Sequence, residues 1–262
     1  MVAVRIVVLL KAVPVVGTEK MTGGWLLDRS AGLESNGNDE YVLEAGLKLV
    51  EAHGGELVTL TMGPSPATEA IRKALAMGAA RAVQVVDEAL AGSDALATGR
   101  VLAAALQRME FDLALAGADT SDGQGGVVGA AVATRLGLPY LSYAAAIEPD
   151  PAAGTVRVRR ISPTGYDVLE ARMPALVAGT QLLGEPRYPS LRGIMQARSK
   201  QIATWSLADL GIDPASVGTP ATWSAVLTAT PPAQRAGATI VRDAPEAAVE
   251  RIVEFLAARR LI

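Results

Sequence analysis

Four times within about the first 140 residues, a short apolar run gives way to a segment with helical spacing. This alternation constrains the fold more than any other feature of the chain. Val4–Leu10, Leu57–Thr61, Ala82–Val86 and Asp112–Ala116 read as strands with little polar alternation, the pattern of parallel strands covered on both faces. Helices are predicted over Asp39–Ala52, from Ser65-Pro66 to Met77, over Ser93–Arg108 and over Gly125–Leu136. Val42, Leu43, Leu47 and Val50 share one side of the first, and Ile71, Ala74, Leu75 and Met77 one side of the second. Gly54-Gly55, Gly78 and Gly137 are stop signals, and Ser65-Pro66 places a capping hydroxyl ahead of a proline. Successive β-α units imply a doubly wound, mostly parallel sheet with right-handed crossovers. The expected class is therefore α/β, with a Rossmann-like, adenine-nucleotide-binding architecture. Ligands of such sheets sit beyond the carboxyl ends of the strands, so the loops after the first, second and fourth runs share one rim.

Composition narrows the chemistry. Half of the 262 residues are apolar but only 4% are aromatic, so the core must be built from Ala, Val and Leu. The chain has no cysteine, which removes disulfides, thiolate metal sites and a Cys nucleophile. The single histidine, His53, sits beside Gly54-Gly55 at a helix end, where a cation is mildly favourable. Neither a Ser-His-Asp mechanism nor a His-based metal site has the material it needs. A net charge of -3 with scattered basic residues argues against a nucleic-acid partner. No run approaches the ~18–20 apolar residues of a membrane span, and Val4–Leu10 is too short for a leader. The expectation is a cytoplasmic protein that is not embedded in a membrane.

The texture changes after Pro139. Thr155–Arg160 and Tyr166–Ala171 alternate around Ser162-Pro163-Thr164-Gly165, a hairpin signature, and Ala175–Gly179 reads as another buried strand. These are expected to extend the sheet in antiparallel fashion, while Val13–Ser35 forms a hairpin-like excursion. From Gly184 onward periodicity fades among Pro186, Pro189, Pro214, Pro220, Pro231, Pro232 and Pro245, and only Ala244–Arg260 regains a helical stripe. The predicted organisation is a nucleotide-binding α/β domain over residues 1–183 and a docking loop with a C-terminal arm over 184–262. So long a tail with little fold of its own either wraps a partner or lies loosely on the surface.

Three loops on the shared rim carry candidate site residues. The densest is Gly117-Ala118-Asp119-Thr120-Ser121-Asp122-Gly123-Gln124-Gly125-Gly126, between a strand and a helix. Its glycines let backbone N–H groups approach a phosphate, and a helix N-terminus adds partial positive charge. Asp122 could cap that helix or take ribose hydroxyls. The spacing is neither G-x-G-x-x-G nor a P-loop, and the turn alone fits either a nucleotide cradle or a flexible N-capped turn. The second loop holds Asn36, Gly37, Asn38 and Asp39 at a helix start; the third is Thr61-Met62-Gly63-Pro64. Together they favour an adenine nucleotide.

At this point the chain resembles the β subunits of electron transfer flavoproteins, over essentially its whole length. The resemblance rests on Met62-Gly63-Pro64 and on Ala70-Ile71-Arg72-Lys73-Ala74-Leu75-Ala76-Met77-Gly78-Ala79, similar to the family's (R/K)-x-A-L-A-M-G-A helix. It rests equally on the G-x(4)-D-x(6)-G loop from Gly117 through Asp122 to Gly129. The last piece is Glu185-Pro186-Arg187-Tyr188-Pro189-Ser190-Leu191-Arg192-Gly193-Ile194-Met195, similar to N-E-P-R-(Y/F)-x-(S/T)-L-x-x-I-M. The Asp-Gly-x-Gly-Gly turn looks most like that of actinobacterial relatives.

The resemblance implies a heterodimer whose α subunit carries the redox FAD, with a structural AMP in the β subunit. By position, AMP contacts would come from Leu9, Asn36 through Asp39, Met62 and Gly117 through Val128, including Val127. The segment with Arg187, Tyr188, Leu191, Ile194 and Met195 would dock partner dehydrogenases through an inserted leucine; read from the residues alone, an exposed anchor is favoured over a buried Leu191 that fixes the loop. Electrons from dehydrogenases, acyl-CoA dehydrogenases among them, would pass to a quinone oxidoreductase, and the subunit would be a carrier without catalytic chemistry of its own. Some positions depart from the family. Val127 stands where many relatives have Gln, Val16 where some have an aromatic, and Gln196 and Ser199 where animal relatives have methylated lysines. Electron-bifurcating relatives, which hold a second FAD, show Asp-Gly-Asp-Thr at the turn; Asp122-Gly123-Gln124-Gly125 disfavours that reading. A stress-type ATP-binding module would explain the first part of the chain and leave the tail without purpose.

Overall fold

The computed structural model describes residues 2–30, 32–230, 237–238, 240–242 and 244–262. Among these, nine strands form one sheet. In spatial order they are β11 (Ile202–Trp205), β5 (Arg81–Val85), β4 (Gly55–Met62), β1 (Val4–Leu9), β6 (Leu113–Gly117), β10 (Ala175–Gly179), β7 (Tyr140–Asp150), β8 (Thr155–Ser162) and β9 (Gly165–Arg172). The run from β11 to β7 is parallel, and β7-β8-β9 is antiparallel. The doubly wound, mostly parallel α/β architecture with a hairpin extension is as the sequence implies. The excursion after β1 contains β2 (Ala12–Pro14) and β3 (Leu33–Ser35), a separate antiparallel pair.

Helices cover both faces of the parallel part. On one side α1 (Gly37–His53), α2 (Thr68–Met77) and α5 (Leu191–Ser199) bury Leu43, Leu47, Ile71, Leu75 and Ala197 against Ile6, Val8 and Leu115. On the other, α3 (Ala95–Leu106), α4 (Val128–Leu136) and α6 (Leu207–Leu210) bury Val101, Leu106, Val132 and Leu207 against Val7, Leu60 and Leu176. Each such fully buried aliphatic side chain contributes about 1.5–3 kcal/mol. Residues 1–226 form one compact unit and 227–262 another, which contains α7 (Pro245–Ala258) with Val249, Ile252 and Val253 exposed.

Several expectations are corrected. Ala175–Gly179 does not extend the sheet antiparallel; it inserts parallel between β6 and β7, with Ala175 beside Leu113. Tyr140–Asp150, read only as a change in texture, is the longest strand, and its pairings shift register on both sides near Ala144. The segment after Gly184 is not irregular as far as Ala221. It supplies α5, α6 and the edge strand β11, which is too short for its alternation to stand out in sequence. Pro231 and Pro232 lie outside the described residues. Ser65-Pro66-Ala67 is a separate 3-10 turn without a side-chain cap, and α2 starts at Thr68, whose hydroxyl donates to the Ser65 carbonyl. The third helix begins after its cap, Asp94, and α4 begins at Val128, three residues beyond Gly125.

Candidate functional site

β1 has β4 on one side and β6 on the other, so the order of the chain reverses between β1 and β6. Such a switch point opens a crevice beyond the strand ends. Leu9, Met62 and Gly117 terminate the three strands that flank it. Buried Asp39, in the first turn of α1, bridges the crevice. Its carboxylate accepts the N–H of Lys11, just past β1, at 2.8 Å and that of Gly117, the last residue of β6, at 3.0 Å. Burial pushes its carboxyl up to about 7, and the N–H donors partly offset that rise. Gly117 must be glycine: a Cβ there would collide with the Asp39 carboxylate and lie 2.8 Å from the Asn38 Cβ.

The neighbouring asparagines hold the glycine turn with their side-chain hydrogen bonds. Asn36 occupies the cap position of α1 without capping it. Its Nδ2 donates to the Asp119 carbonyl at 3.0 Å and its Oδ1 accepts the Ser121 N–H at 3.2 Å. Asn38 Nδ2 donates to Asp119 Oδ1 at 2.6 Å. Gly37 begins α1 with open space around its Cα. Ala118 N–H donates to the Gly179 carbonyl, which ties the turn to β10.

Asp122 does not cap α4, since Val127 stands at the cap position. Its carboxylate, 2% exposed, lies between Lys11 Nζ at 2.8 Å and the Arg29 guanidinium. Thr120 Oγ1 also accepts from Lys11 Nζ, at 3.2 Å, and the Gly123 N–H donates to Asp122. Burial opposes ionisation of Asp122, but the Lys11 and Arg29 hydrogen bonds outweigh it and hold the carboxyl well below the usual range. The Asp122 carboxylate is thus already engaged by two cations. Neither cation was singled out in the sequence. Lys11 had a signal, its place directly after the first strand; Arg29, inside the excursion, had none.

Gln124 and Gly126 have φ of 46° and 61°, so the backbone winds through alternating hands. Among the described residues, no acceptor takes the N–H groups of Gly125, Gly126, Val127, Val128, Gly129 or Ala130. Successive free N–H groups in such a turn form an anion-binding concavity at a helix start. Two open clefts lie elsewhere, one lined by Leu106, Phe111 and Leu138 and one by Leu96, Arg100 and Trp223; no rim residue lines either.

The second candidate region precedes and begins α5. Ser190 caps the helix through the Gly193 N–H at 3.0 Å. Tyr188, Leu191 and Met195 are 97%, 82% and 72% exposed, with Ile194 less so. Leu191 is thus not a buried anchor. Arg187 differs from the other four, because its guanidinium grips Glu44 and Glu51 of α1. Burial of Glu44 favours its neutral form, and Arg187 more than reverses that, so the carboxyl stays below its ordinary value. Arg187 fastens the segment to α1.

Comparison with known proteins gives the family. The electron transfer flavoprotein domain matches residues 24–210. The electron transfer flavoprotein subunit beta of Mycobacterium leprae is 39% identical over 98% of this chain and 99% of its own. That of Megasphaera elsdenii is 35% identical over 86% of each chain, and that of Clostridium acetobutylicum is 34% identical over 82% of this chain and 83% of its own. The residues matched by the family model include the glycine turn and the exposed segment alike, and the chain belongs to the electron transfer flavoprotein family.

Proposed function

We propose that this chain is the β half of an electron-carrying heterodimer whose α subunit holds the redox FAD. On this reading it accepts electrons from dehydrogenases, acyl-CoA dehydrogenases among them, and passes them to a quinone oxidoreductase, in the cytoplasm of a bacterium. It contributes no covalent chemistry. An AMP lies at the switch point, with the adenine side toward Leu9 and Met62 and the phosphate toward the N–H groups of residues 125–130. Asn36, Asn38 and Asp39 shape that site by holding residues 117–121, and Lys11 and Arg29 keep its edge positive while Asp122 fixes them. Tyr188, Leu191, Ile194 and Met195 dock the partner dehydrogenase. Functionally, residues 1–183 serve the nucleotide, and 184–262 serve docking and the grip on the α subunit.

The observation that carries this reading is the run of free N–H groups beside a carboxylate-stapled crevice at the switch point. Native mass spectrometry of the copurified complex, with released nucleotides identified, tests it. The expected result is a yellow pair of subunits releasing one FAD and one AMP. Two FAD molecules would replace the AMP assignment with the bifurcating arrangement. A solitary, colourless, nucleotide-free chain would overturn the proposal.

A further inference from the structure

The motif Ala70–Ala79, on and just after α2, is one of the chain's most distinctive, yet none of its residues enters the nucleotide crevice or the exposed segment. Its contacts explain it. Arg72 on α2 reaches α5 and donates to the Ala197 and Lys200 carbonyls at 2.6 and 2.5 Å, where the last turn of α5 has no helical partners for them. Lys200 returns the favour: its Nζ donates to the Ala79 carbonyl at 2.6 Å and the Leu75 carbonyl at 3.4 Å, at the end of α2. Each helix therefore has its C-terminal carbonyls capped by a cation of the other, where positive charge is also favoured by the helix dipole. Between these caps the backbones nearly touch. A Cβ on Gly193 would collide with the Ala76 carbonyl oxygen, and Ala197 is buried among α2 side chains. Larger residues at 193 or 197 would lift α5 from its seat.

From this we infer that α2 is the seat of the docking helix, and that Arg72, Lys200 and Gly193 are positioning residues for partner recognition. They set the direction in which Leu191 and Met195 project without touching a partner themselves. The inference rests on the reading of α5 as the docking helix. The seat also ties α5 to the rest of the crevice side, since Lys73 on α2 pairs with Glu40 of α1.

The test uses the purified heterodimer with reduced acyl-CoA dehydrogenase as electron donor, and compares Gly193→Ala, Arg72→Met and Leu191→Ala. Gly193→Ala is informative because alanine favours the helix itself, so a loss must come from the seat. For Gly193→Ala and Arg72→Met, KM for the dehydrogenase should rise about tenfold, a hot-spot-sized effect, with kcat changed less than about twofold. FAD content and flavin absorbance should be unchanged. Amide exchange of residues 191–199 should accelerate about tenfold while β1 and β6 keep their protection. If Leu191→Ala raises KM and the two seat variants leave both KM and exchange alone, the seat inference falls and the docking reading stands. If Leu191→Ala leaves KM unchanged, the docking reading falls, and exchange alone then decides whether α2 holds α5.

Discussion

Replacing Asp122 by Asn keeps the volume of a buried side chain and removes its charge. In the native chain one carboxylate receives Lys11 Nζ at 2.8 Å, the Arg29 guanidinium and the Gly123 N–H. The amide would retain one acceptor and turn an NH2 group toward a cation. Breaking a fully buried ion pair costs about 3–5 kcal/mol. Here the cations are 38% and 28% exposed, so water recovers part of that, and a discounted cost of about 2–3 kcal/mol is expected. Thermal unfolding of the heterodimer should shift down by about 4–12 °C on the scale for a domain of this size. A double-mutant cycle with Lys11→Met should show coupling above about 1 kcal/mol. The pH dependence follows from sign. A carboxyl held below its unfolded value stabilises the fold above pH about 4 and loses that contribution as pH falls further. The Asn variant should lack this acid-side decline. A variant within about 0.5 kcal/mol of the parent, with an unchanged acid profile, would refute the claim that Asp122 organises the rim.

Leu191→Ala should slow electron transfer from an acyl-CoA dehydrogenase by about tenfold at limiting donor, with the flavin spectrum intact; stopped-flow reduction reads both. Gly117→Ala should displace Asp39 and cost about 1–3 kcal/mol, with AMP occupancy by mass spectrometry falling in parallel. Asp39, pushed up to about 7 by burial, should lose stability as pH rises from about 4 through 7, on the order of 1–3 kcal/mol. Asp39→Asn should remove that slope when unfolding is compared at pH 5 and pH 8, while facing an NH2 group toward the Lys11 or Gly117 N–H.

Where apolar runs were long and uninterrupted, as in β1 and β4, the sequence was sufficient, because a strand buried on both faces leaves an unmistakable pattern. β11 and β7 escaped for opposite reasons. Four half-exposed residues give no periodicity, and a bulge at Ala144 breaks the alternation of a strand eleven residues long. The rim loops were legible because Gly, Asn and Asp cluster only where the backbone must turn. What those side chains do was not. Asp122 and Asp39 look like caps or ligand groups in one dimension, and their partners Lys11, Arg29 and Gly117 lie 28 to 111 residues away. Arg187 posed the same difficulty, since its anchors Glu44 and Glu51 are more than 130 positions upstream.

The insertion of β10 between β6 and β7 has a consequence for how the chain is made. An interior position of the sheet, next to its central strand β6, is filled by residues 175–179, which emerge from synthesis after the strands on either side of them. Until they arrive, β6 presents a bare edge to solvent, and such edges recruit other chains. Fragments ending before Ala175 should therefore clump rather than fold, and this subunit must finish the interior of its sheet almost last.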